Sequence, residues 1–203
     1  MGINSYIAKQ FSRPEGPGGR LVSTVMNRQN RPLYDETIRH LALCDADSVL
    51  DIGCGNGYVL NLLAQAHGAS FAGIDPAAGI LKAAARRCRR FVAVGKMHFS
   101  CQDVGALSFA DGAFTKAYSI NTVYFWDKLD RPMQEIGRVL KPGGVFLNTL
   151  YTNQALARLS HTQFGYRRYT AQQLENAGAK AGFQVRAIPF LQGAAVCYIY
   201  KKE

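Results

Sequence analysis

The chain has 203 residues, 48% of them hydrophobic, which is enough for one compact domain with a full core. It contains no apolar run long enough to cross a membrane and no visible signal peptide, so we expect a cytoplasmic protein without a membrane span. The formal net charge of +10 is sufficient to attract polyanions or an acidic substrate.

Five cysteines are scattered along the chain, and no two of them have the Cys-x-x-Cys spacing of a redox or zinc motif. An odd number without paired spacing predicts reduced thiols, most of them buried, in a cytosolic protein. These residues are Cys44, Cys54, Cys88, Cys101 and Cys197. The sequence shows no cluster of metal ligands, and we predict no metal site.

Residues 1–47 precede the first predicted strand and are expected to form a helical cover. Residues 13–20 contain two prolines and three glycines, which is typical of a loop or a mobile lid. A short helix is predicted over 21–30. Pro32 is well placed as the first residue of a second helix that reaches Leu43.

The segment 48–58 combines a short strand with a turn rich in glycine. Residues 48–52 form an apolar run interrupted only by Asp51, which predicts a strand buried on both faces. Gly53, Gly55 and Gly57 follow, and glycine allows a tight turn and a close approach to a ligand. After Gly57 the apolar residues recur at helical spacing, which predicts the N-terminus of a helix. A strand, a glycine turn and a helix N-terminus in succession predict a small-molecule pocket at the carboxyl end of the strand, with backbone N–H groups facing the ligand.

The spacing of these glycines argues against a dinucleotide as the ligand. The fingerprint Gly-x-Gly-x-x-Gly requires its third glycine one residue later, where this chain has Tyr58. A diphosphate would bring its charge against the turn, whereas a cation suits Asp51, two residues before the first glycine. The segment resembles motif I of the class I S-adenosylmethionine-dependent methyltransferases, whose cofactor carries an ammonium and a sulfonium and no phosphate.

The resemblance extends over residues 48–201 in four separated motifs. It implies S-adenosyl-L-methionine as the cofactor and S-adenosyl-L-homocysteine as the product. In the first motif, the implied cofactor-binding residues are Asp51, Ile52, Gly53, Cys54, Gly55 and Gly57.

Asp75 ends the second predicted strand, 24 residues after Asp51. An acid near this place accepts both ribose hydroxyls in dinucleotide folds, and we predict the same role here. Its alternative role is the cap of the helix that starts at Pro76. Pro76 and Ile80, which begin that helix, are included in the predicted cofactor site.

The third predicted strand covers residues 97–101 and is followed by Gln102, Asp103 and Val104. In the resembling family, an acid followed by an apolar residue at this position holds the adenine. The carboxylate accepts from the exocyclic amine and the apolar side chain packs on the ring. The resemblance therefore assigns these three residues to the adenine end of the site, and the alternative for Asp103 is an ordinary loop acid.

The fourth predicted strand, residues 114–121, leads into an aromatic loop. Ile120 and Asn121 end this strand and are expected beside the methionine part of the cofactor. Tyr124 and Trp126 are predicted to wall the acceptor site, with core packing as the alternative for Trp126. Where a general base is needed, Tyr124 and His161 are the candidates.

The remaining elements complete an α/β fold. An amphipathic helix is predicted from its cap Asp127 to Leu140, and Lys141-Pro-Gly-Gly144 is predicted to end it and turn the chain into a strand over 145–150. An insertion, a helix capped by Thr170 and two final strands follow. We predict one domain, with a Rossmann-like core over 48–203. Its seven-stranded, mostly parallel sheet has an antiparallel last strand and helices on both faces.

The acceptor is predicted from what the sequence lacks. The loop Asn121-Thr-Val-Tyr124 has no prolines of the kind found in amino-methylases of nucleic-acid bases, and no RNA-binding module is appended. A small-molecule acceptor is therefore the leading hypothesis. A nucleic-acid or protein acceptor, favoured by the charge, and a non-catalytic cofactor-binding protein are the alternatives. By analogy with the family, residues of the N-terminal segment also contribute to the pocket, namely Tyr6, Phe11, Asn27, Arg28, Asn30 and Tyr34.

One predicted helix face is strongly basic. It carries Lys82, Arg86, Arg89 and Arg90, with Arg87 beside them. The face is either a patch for nucleic acid or another anionic surface, or an ordinary solvated helix face. No aromatic residues are interleaved for base stacking, which favours the solvated face. The sequence gives no indication of the oligomeric state.

Overall fold

The structure is a computed structural model that describes residues 26–163 and 165–203, with only the backbone of His161. In these residues, seven strands form one sheet. They are β1 (Ser48–Ile52), β2 (Ser70–Ile74), β3 (Met97–Ser100), β4 (Phe114–Ile120), β5 (Leu140–Tyr151), β6 (Phe183–Phe190) and β7 (Ala195–Lys202). Tyr6 and Phe11 lie outside the described residues.

The strand order is β3-β2-β1-β4-β5-β7-β6, with β1 paired in parallel to both β2 and β4. Strand β7 runs antiparallel to its two neighbours β5 and β6. This arrangement confirms the predicted fold of a mostly parallel sheet with an antiparallel last strand. The chain reverses its order on the two sides of β1, and such a switch point opens a crevice at the carboxyl ends of the strands.

Helices cover both faces of the sheet. They are α1 (Arg31–Leu41), α2 (Tyr58–Ala66), α3 (Ala78–Arg87), α4 (Arg89–Ala93), α5 (Asp130–Val139), α6 (Asn153–Ala157) and α7 (Ala171–Lys180). Residues 26–29 are also helical. None of the helices in this part of the chain has the length and apolar character that a membrane crossing requires.

The core has two layers because successive side chains of a strand point to opposite faces. On one face, Val49 of β1 packs with apolar residues of α1, α2 and α3. On the other face, Leu50 and Ile52 belong to a cluster that includes residues of α5, α6 and α7. Burial of β1 on both sides explains why its sequence is an almost continuous apolar run.

Two predicted boundaries around α5 are wrong. The helix starts at Asp130 and no side chain caps it, while Asp127 forms an ion pair with Arg167 of the insertion. At the other end, Lys141-Pro-Gly-Gly144 does not separate the helix from the strand, since β5 already begins at Leu140. The register of β5 against β4 shifts between Phe114 and Lys116, so the glycine pair lies in an irregular stretch of the strand.

Candidate active site

A cavity of about 580 Å³ lies at the carboxyl ends of β1, β2 and β4. Its volume is in the usual range for small-molecule and cofactor sites. Thirteen of the fourteen predicted cofactor residues line it, and Gly57 does not. The thirteen are Asp51, Ile52, Gly53, Cys54, Gly55, Asp75, Pro76, Ile80, Gln102, Asp103, Val104, Ile120 and Asn121.

The glycine turn uses its backbone amides internally. The amides of Gly53 and Cys54 donate to the carbonyl of Ile74 at 2.8 and 2.9 Å. The amide of Gly55 donates to Oδ2 of Asp75 at 3.2 Å, and that of Gly57 to the carbonyl of Cys54 at 3.0 Å. The prediction that the amides of this turn face the ligand is therefore wrong for these four residues. None of the four is available for a phosphate.

Gly55 keeps the cavity open beside the turn. Its φ of +51° lies in the left-handed region, and an added Cβ would meet no atom within 4 Å. Gly57 is required for helix packing, because a Cβ at this position would lie 3.2 Å from Cα of Ala84 in α3. Gly57 thus allows the start of α2 to pack closely on α3, which explains why it lies outside the cavity wall.

Asp51 is a buried acid at the centre of the cavity wall. Tyr118, which faces it across the β1–β4 pair, donates its hydroxyl to Oδ2 of Asp51 at 2.7 Å. Burial raises the pKa of Asp51 to about 8; the Tyr118 hydroxyl opposes this shift and the charge of Asp75 adds to it. The carboxyl is therefore mostly protonated near neutral pH, and an adjacent cation would favour its ionised form.

Asp75 lines the cavity and also fixes the backbone around it. Its Oδ1 accepts from the amide of Ala77 at 2.9 Å, and its Oδ2 accepts from Gly55. The bond to Ala77 holds the start of α3, as the capping alternative predicts. The same carboxylate joins the glycine turn of β1 to the end of β2.

The third acid, Asp103, lies at the outer end of the cavity. It is exposed, and its Oδ1 accepts from the amide of Gly105 at 2.8 Å. Val104 beside it is buried. Gln102 is held by hydrogen bonds to Oγ of Ser100 and to the amide of Ser108, each 2.7 Å long.

Asn121 connects the end of β4 to the N-terminal segment. Its φ of +58° lies in the left-handed region, which asparagine tolerates better than most residues. Its Nδ2 donates to Oδ1 of Asn30 at 2.9 Å. Its Oδ1 accepts from the hydroxyl of Tyr124 at 3.1 Å and from the amide of Tyr151 at 3.4 Å. The side chain therefore links the end of β4 to Asn30 of the N-terminal segment.

Tyr124 does not belong to the cavity wall, contrary to the prediction. Its hydroxyl also reaches the carbonyl of Tyr151, at 2.9 Å, and burial raises its pKa well above the ordinary value. A phenol held in the neutral form is a poor general base. The aromatic wall at this loop consists of Phe125 and Trp126. The side chain of the other candidate base, His161, lies outside the described part of the structure.

The N-terminal segment supplies Met26, Asn27, Asn30 and Tyr34 to the cavity, whereas Arg28 is exposed and does not line it. Other lining residues were not predicted, among them Tyr118, Lys128 and Arg131. Tyr118 could be found only by knowing that β4 lies beside β1 with this register. Lys128 and Arg131 could have been predicted to line the cavity, because they follow the loop at the carboxyl end of β4.

Comparisons with known proteins agree with this geometry. Residues 49–144 match a family model described as a methyltransferase domain. An O-methyltransferase of Pyrenophora dematioidea is 29% identical over 108 residues, which span 53% of this chain and 40% of that protein. The fatty-acid O-methyltransferase of Mycolicibacterium smegmatis is 30% identical over 128 residues, or 63% of this chain and 45% of that protein. The chain thus spans less than half the length of these two relatives.

Two solved structures share the fold. The methyltransferase in complex with the Trm112 methyltransferase activator of Haloferax volcanii has a TM-score of 0.78 at 18% identity, with 99% of each chain covered. Geranyl diphosphate C-methyltransferase of Streptomyces coelicolor, crystallised with Mg²⁺, geranyl diphosphate and S-adenosyl-L-homocysteine, has a TM-score of 0.72 at 15% identity. The similarity covers 93% of this chain and 84% of that one.

Proposed function

We propose that this chain is a class I S-adenosylmethionine-dependent methyltransferase and that it methylates a small-molecule acceptor. S-adenosyl-L-methionine is the methyl donor and S-adenosyl-L-homocysteine the product. We further propose that residues 1–203 form a single domain, in which residues 1–47 cover the core 48–203. The five free cysteines fit a reducing compartment, and we assign the enzyme to the cytoplasm.

The acids of the cavity are assigned to the polar groups of the cofactor. Asp51 pairs with the ammonium of its methionine part, and Asp75 accepts the ribose hydroxyls. Asp103 and Val104 hold the adenine. The residues fit this ligand because four carboxyl side chains, those of Asp51, Asp75, Asp103 and Asp127, line the cavity and four amides of the glycine turn are occupied. That combination suits a cationic ligand and opposes a diphosphate.

The acceptor is assigned to the end of the cavity that the N-terminal segment covers. Met26, Tyr34, Phe125 and Trp126 supply apolar walls there, and Asn27 and Asn30 supply amide groups. These apolar and aromatic side chains on the cavity wall are the observation that carries the proposal, because small-molecule sites are concave and lined mainly by such side chains. The name of one sequence relative, a fatty-acid O-methyltransferase, supports an acceptor with an apolar body.

When bound, the cofactor supplies a methyl group activated by its sulfonium. The protein's contribution is to align the acceptor in line with that methyl group and to exclude water, and such alignment accounts for much of the rate enhancement. Phe125 and Trp126 shield the site, and Asn121 fixes the cover through Asn30. Since Tyr124 is held neutral, an acceptor that must lose a proton releases it to another group or to water.

Parallel calorimetric titrations with S-adenosyl-L-methionine, S-adenosyl-L-homocysteine and NAD test the cofactor assignment. We expect micromolar binding of the first two, and no binding of NAD. Binding of NAD alone would refute the interpretation of the glycine turn. A panel of hydroxylated fatty acids, sterols and phenols, followed by mass spectrometry for a gain of one methyl group, then tests the acceptor class.

A macromolecular acceptor is a second candidate, favoured by the net charge of +10. It predicts binding to RNA or DNA that weakens steeply as salt concentration rises. Negligible binding at low salt would eliminate it. Tight cofactor binding without methyl loss across the whole panel would instead support a non-catalytic cofactor-binding protein.

A further inference from the structure

The edge of the molecule formed by α3 and α4 carries a cluster of unpaired cations. We call it the α3–α4 basic surface; its six exposed cations are Lys82, Arg86, Arg87, Arg89, Arg90 and Lys96. The sequence contains no acid between Asp75 and Asp103. No ion pair in the described part of the chain involves any of the six. The predicted single basic helix face is thus divided between two helices, which meet at Cys88.

The same surface exposes apolar side chains. Helix α4 has no buried residue, and Val92 within it is 38% exposed. Val94, directly after the helix, is 69% exposed, compared with 42% for Leu159 and 41% for Leu191. Arg89 lies three positions before Val92, so the two share one side of the helix. In the part of the chain that the structure describes, both valines stay exposed beside arginines that form no ion pair.

We propose that the α3–α4 basic surface binds the headgroup region of an anionic phospholipid bilayer. Lysine and arginine near such a bilayer are attracted by its negative surface potential. The two valines can enter the boundary between headgroups and acyl chains, where apolar side chains are stabilised. Charge alone would suit a nucleic acid equally well, and the valines decide in favour of lipid.

Nucleic acid fits the surface less well because the two rings that contact its cations are only half-exposed for base stacking. These rings are Phe91, which lies 4.5 Å from the guanidinium of Arg90, and Tyr58, which lies beside Arg87. Single-stranded nucleic acid is usually held by exposed rings on which bases stack.

The surface adjoins the cavity. Ile80 of α3 lines the cavity, and the guanidinium of Arg87 lies 5.5 Å from the ring centroid of Tyr58, which also lines it. A bilayer bound at this edge would therefore be close to the cofactor end of the site. The proposal concerns binding to lipid and does not depend on which acceptor is methylated.

Co-sedimentation with vesicles tests the proposal on the whole chain. We expect binding to vesicles of phosphatidylcholine with one-third phosphatidylglycerol, weak binding to pure phosphatidylcholine, and loss of binding at high salt. The charge-reversal variant Arg89→Glu/Arg90→Glu should weaken the partition coefficient at least about tenfold, because each cation contributes near the bilayer. The matched control Arg186→Glu/Lys201→Glu changes the net charge equally at exposed positions of β6 and β7 and should change binding less than about twofold.

A second variant separates lipid binding from simple charge attraction. Val92→Ser/Val94→Ser keeps every cation and should weaken vesicle binding by about threefold to tenfold, since it removes apolar area that enters the interface. Titration with S-adenosyl-L-homocysteine verifies that each variant is folded. Equal binding by the valine variant, equal losses in both charge variants, absence of binding to anionic vesicles, or tighter binding to RNA than to vesicles would each overturn the proposal.

Discussion

The proposed contact between Asp51 and the ammonium of the cofactor predicts a cofactor affinity that depends on pH. Because burial raises its pKa to about 8, the carboxyl must lose a proton to pair with the ammonium of the cofactor. We expect the Kd for S-adenosyl-L-homocysteine to fall by about tenfold for each pH unit from 6 to 7 and to level off above 8. Calorimetry in buffers of different ionisation enthalpy should also detect proton release on binding at pH 7.

The matched variant for this prediction is Asp51→Asn, which keeps the size of the side chain and removes its ionisation. It should bind weakly, with an affinity that no longer changes between pH 6 and 8. An equally flat profile in the wild-type protein would show that Asp51 does not contact the ammonium.

Tyr124 acts as a positioning residue in the structure, and its substitution should separate that role from acid–base chemistry. Tyr124→Phe removes a hydroxyl that donates to Asn121 and to the carbonyl of Tyr151. We expect the free energy of unfolding, measured in urea, to fall by about 1 kcal/mol, the usual net value of a hydrogen bond. Cofactor affinity should stay within about threefold of the wild type.

Once an acceptor is known, the pH profile of kcat for Tyr124→Phe gives a second readout. A positioning residue leaves the pH midpoint in place, whereas loss of a general base removes the limb that it controls. A missing limb would restore Tyr124 as the base.

The turn after β1 and the loop after β4 are packed directly against each other through Gly53 and Thr122. A Cβ on Gly53 would lie 2.4 Å from Cγ2 of Thr122, and φ of Gly53 is +77°. Gly53→Ala should therefore destabilise the protein by about 2 kcal/mol or more, from overpacking together with backbone strain.

A double-mutant cycle isolates the contact between the two elements. Thr122→Ser removes Cγ2 and keeps the hydroxyl, so Gly53→Ala should cost about 1 kcal/mol less in that background. Urea unfolding of the four proteins measures the difference. Additive effects would mean that the cost arises from the backbone of Gly53 and not from its packing on Thr122.

The elements that could be predicted well are those with a local signal. Strand β1 has the predicted bounds because its apolar run ends at a glycine, and α7 is capped as predicted by Thr170, whose side chain forms a capping box with Gln173. The start of α5 could not be predicted from Asp127, because a residue of the distant insertion, Arg167, binds that carboxylate. Capping residues are ambiguous when a tertiary partner competes for them.

In the candidate site, too, features with a local sequence signal could be predicted, and features that depend on tertiary contacts could not. Thirteen predicted residues line one cavity because parallel strands bring their carboxyl ends to the same edge of the sheet. The direction of the amides could not be predicted, since it depends on where the carbonyl of Ile74 and the carboxylate of Asp75 lie. The pairing of Tyr118 with Asp51 likewise requires the register between β1 and β4.

At the scale of the whole molecule, the strand order arranges the site as a row. The sequence β3-β2-β1-β4 places Asp103, Asp75, Asp51 and Asn121 one after another along the edge of the sheet. An elongated ligand with different groups at its two ends suits this row, and the proposed order of adenine, ribose and methionine follows it. The proposed acceptor end then lies beside Asn121, which is hydrogen-bonded to Asn30 of the N-terminal segment.

Folding stability should have its maximum in mildly acidic solution, because acids with shifted pKa values act on it in opposite directions. Hydrogen bonds from the backbone of Cys44 and from Thr115 lower the pKa of Asp47 despite its burial, and Arg138 lowers the pKa of Glu135. Such acids stabilise the folded state above their unfolded pKa, and this contribution is lost as the pH falls through the folded value. The contribution of Asp51 to stability changes with pH in the opposite direction. Its raised pKa stabilises the protein below about pH 4, and this contribution is lost as the pH rises towards 8.

We therefore expect the free energy of unfolding to decrease from pH 5 to pH 8 by about 1 kcal/mol for each pH unit, the slope of one proton bound more tightly in the folded state. Urea unfolding at constant ionic strength measures it, and the salt limits the repulsion expected from a net charge of +10. Asp51→Asn should flatten this alkaline limb and leave the acid limb, which depends on Asp47 and Glu135, in place. Wild-type stability that increases from pH 5 to 8 would mean that Asp51 is ionised in the folded protein without a bound cation. In that case the pH dependence of cofactor binding would also disappear, so the two experiments test one property of Asp51 by independent routes.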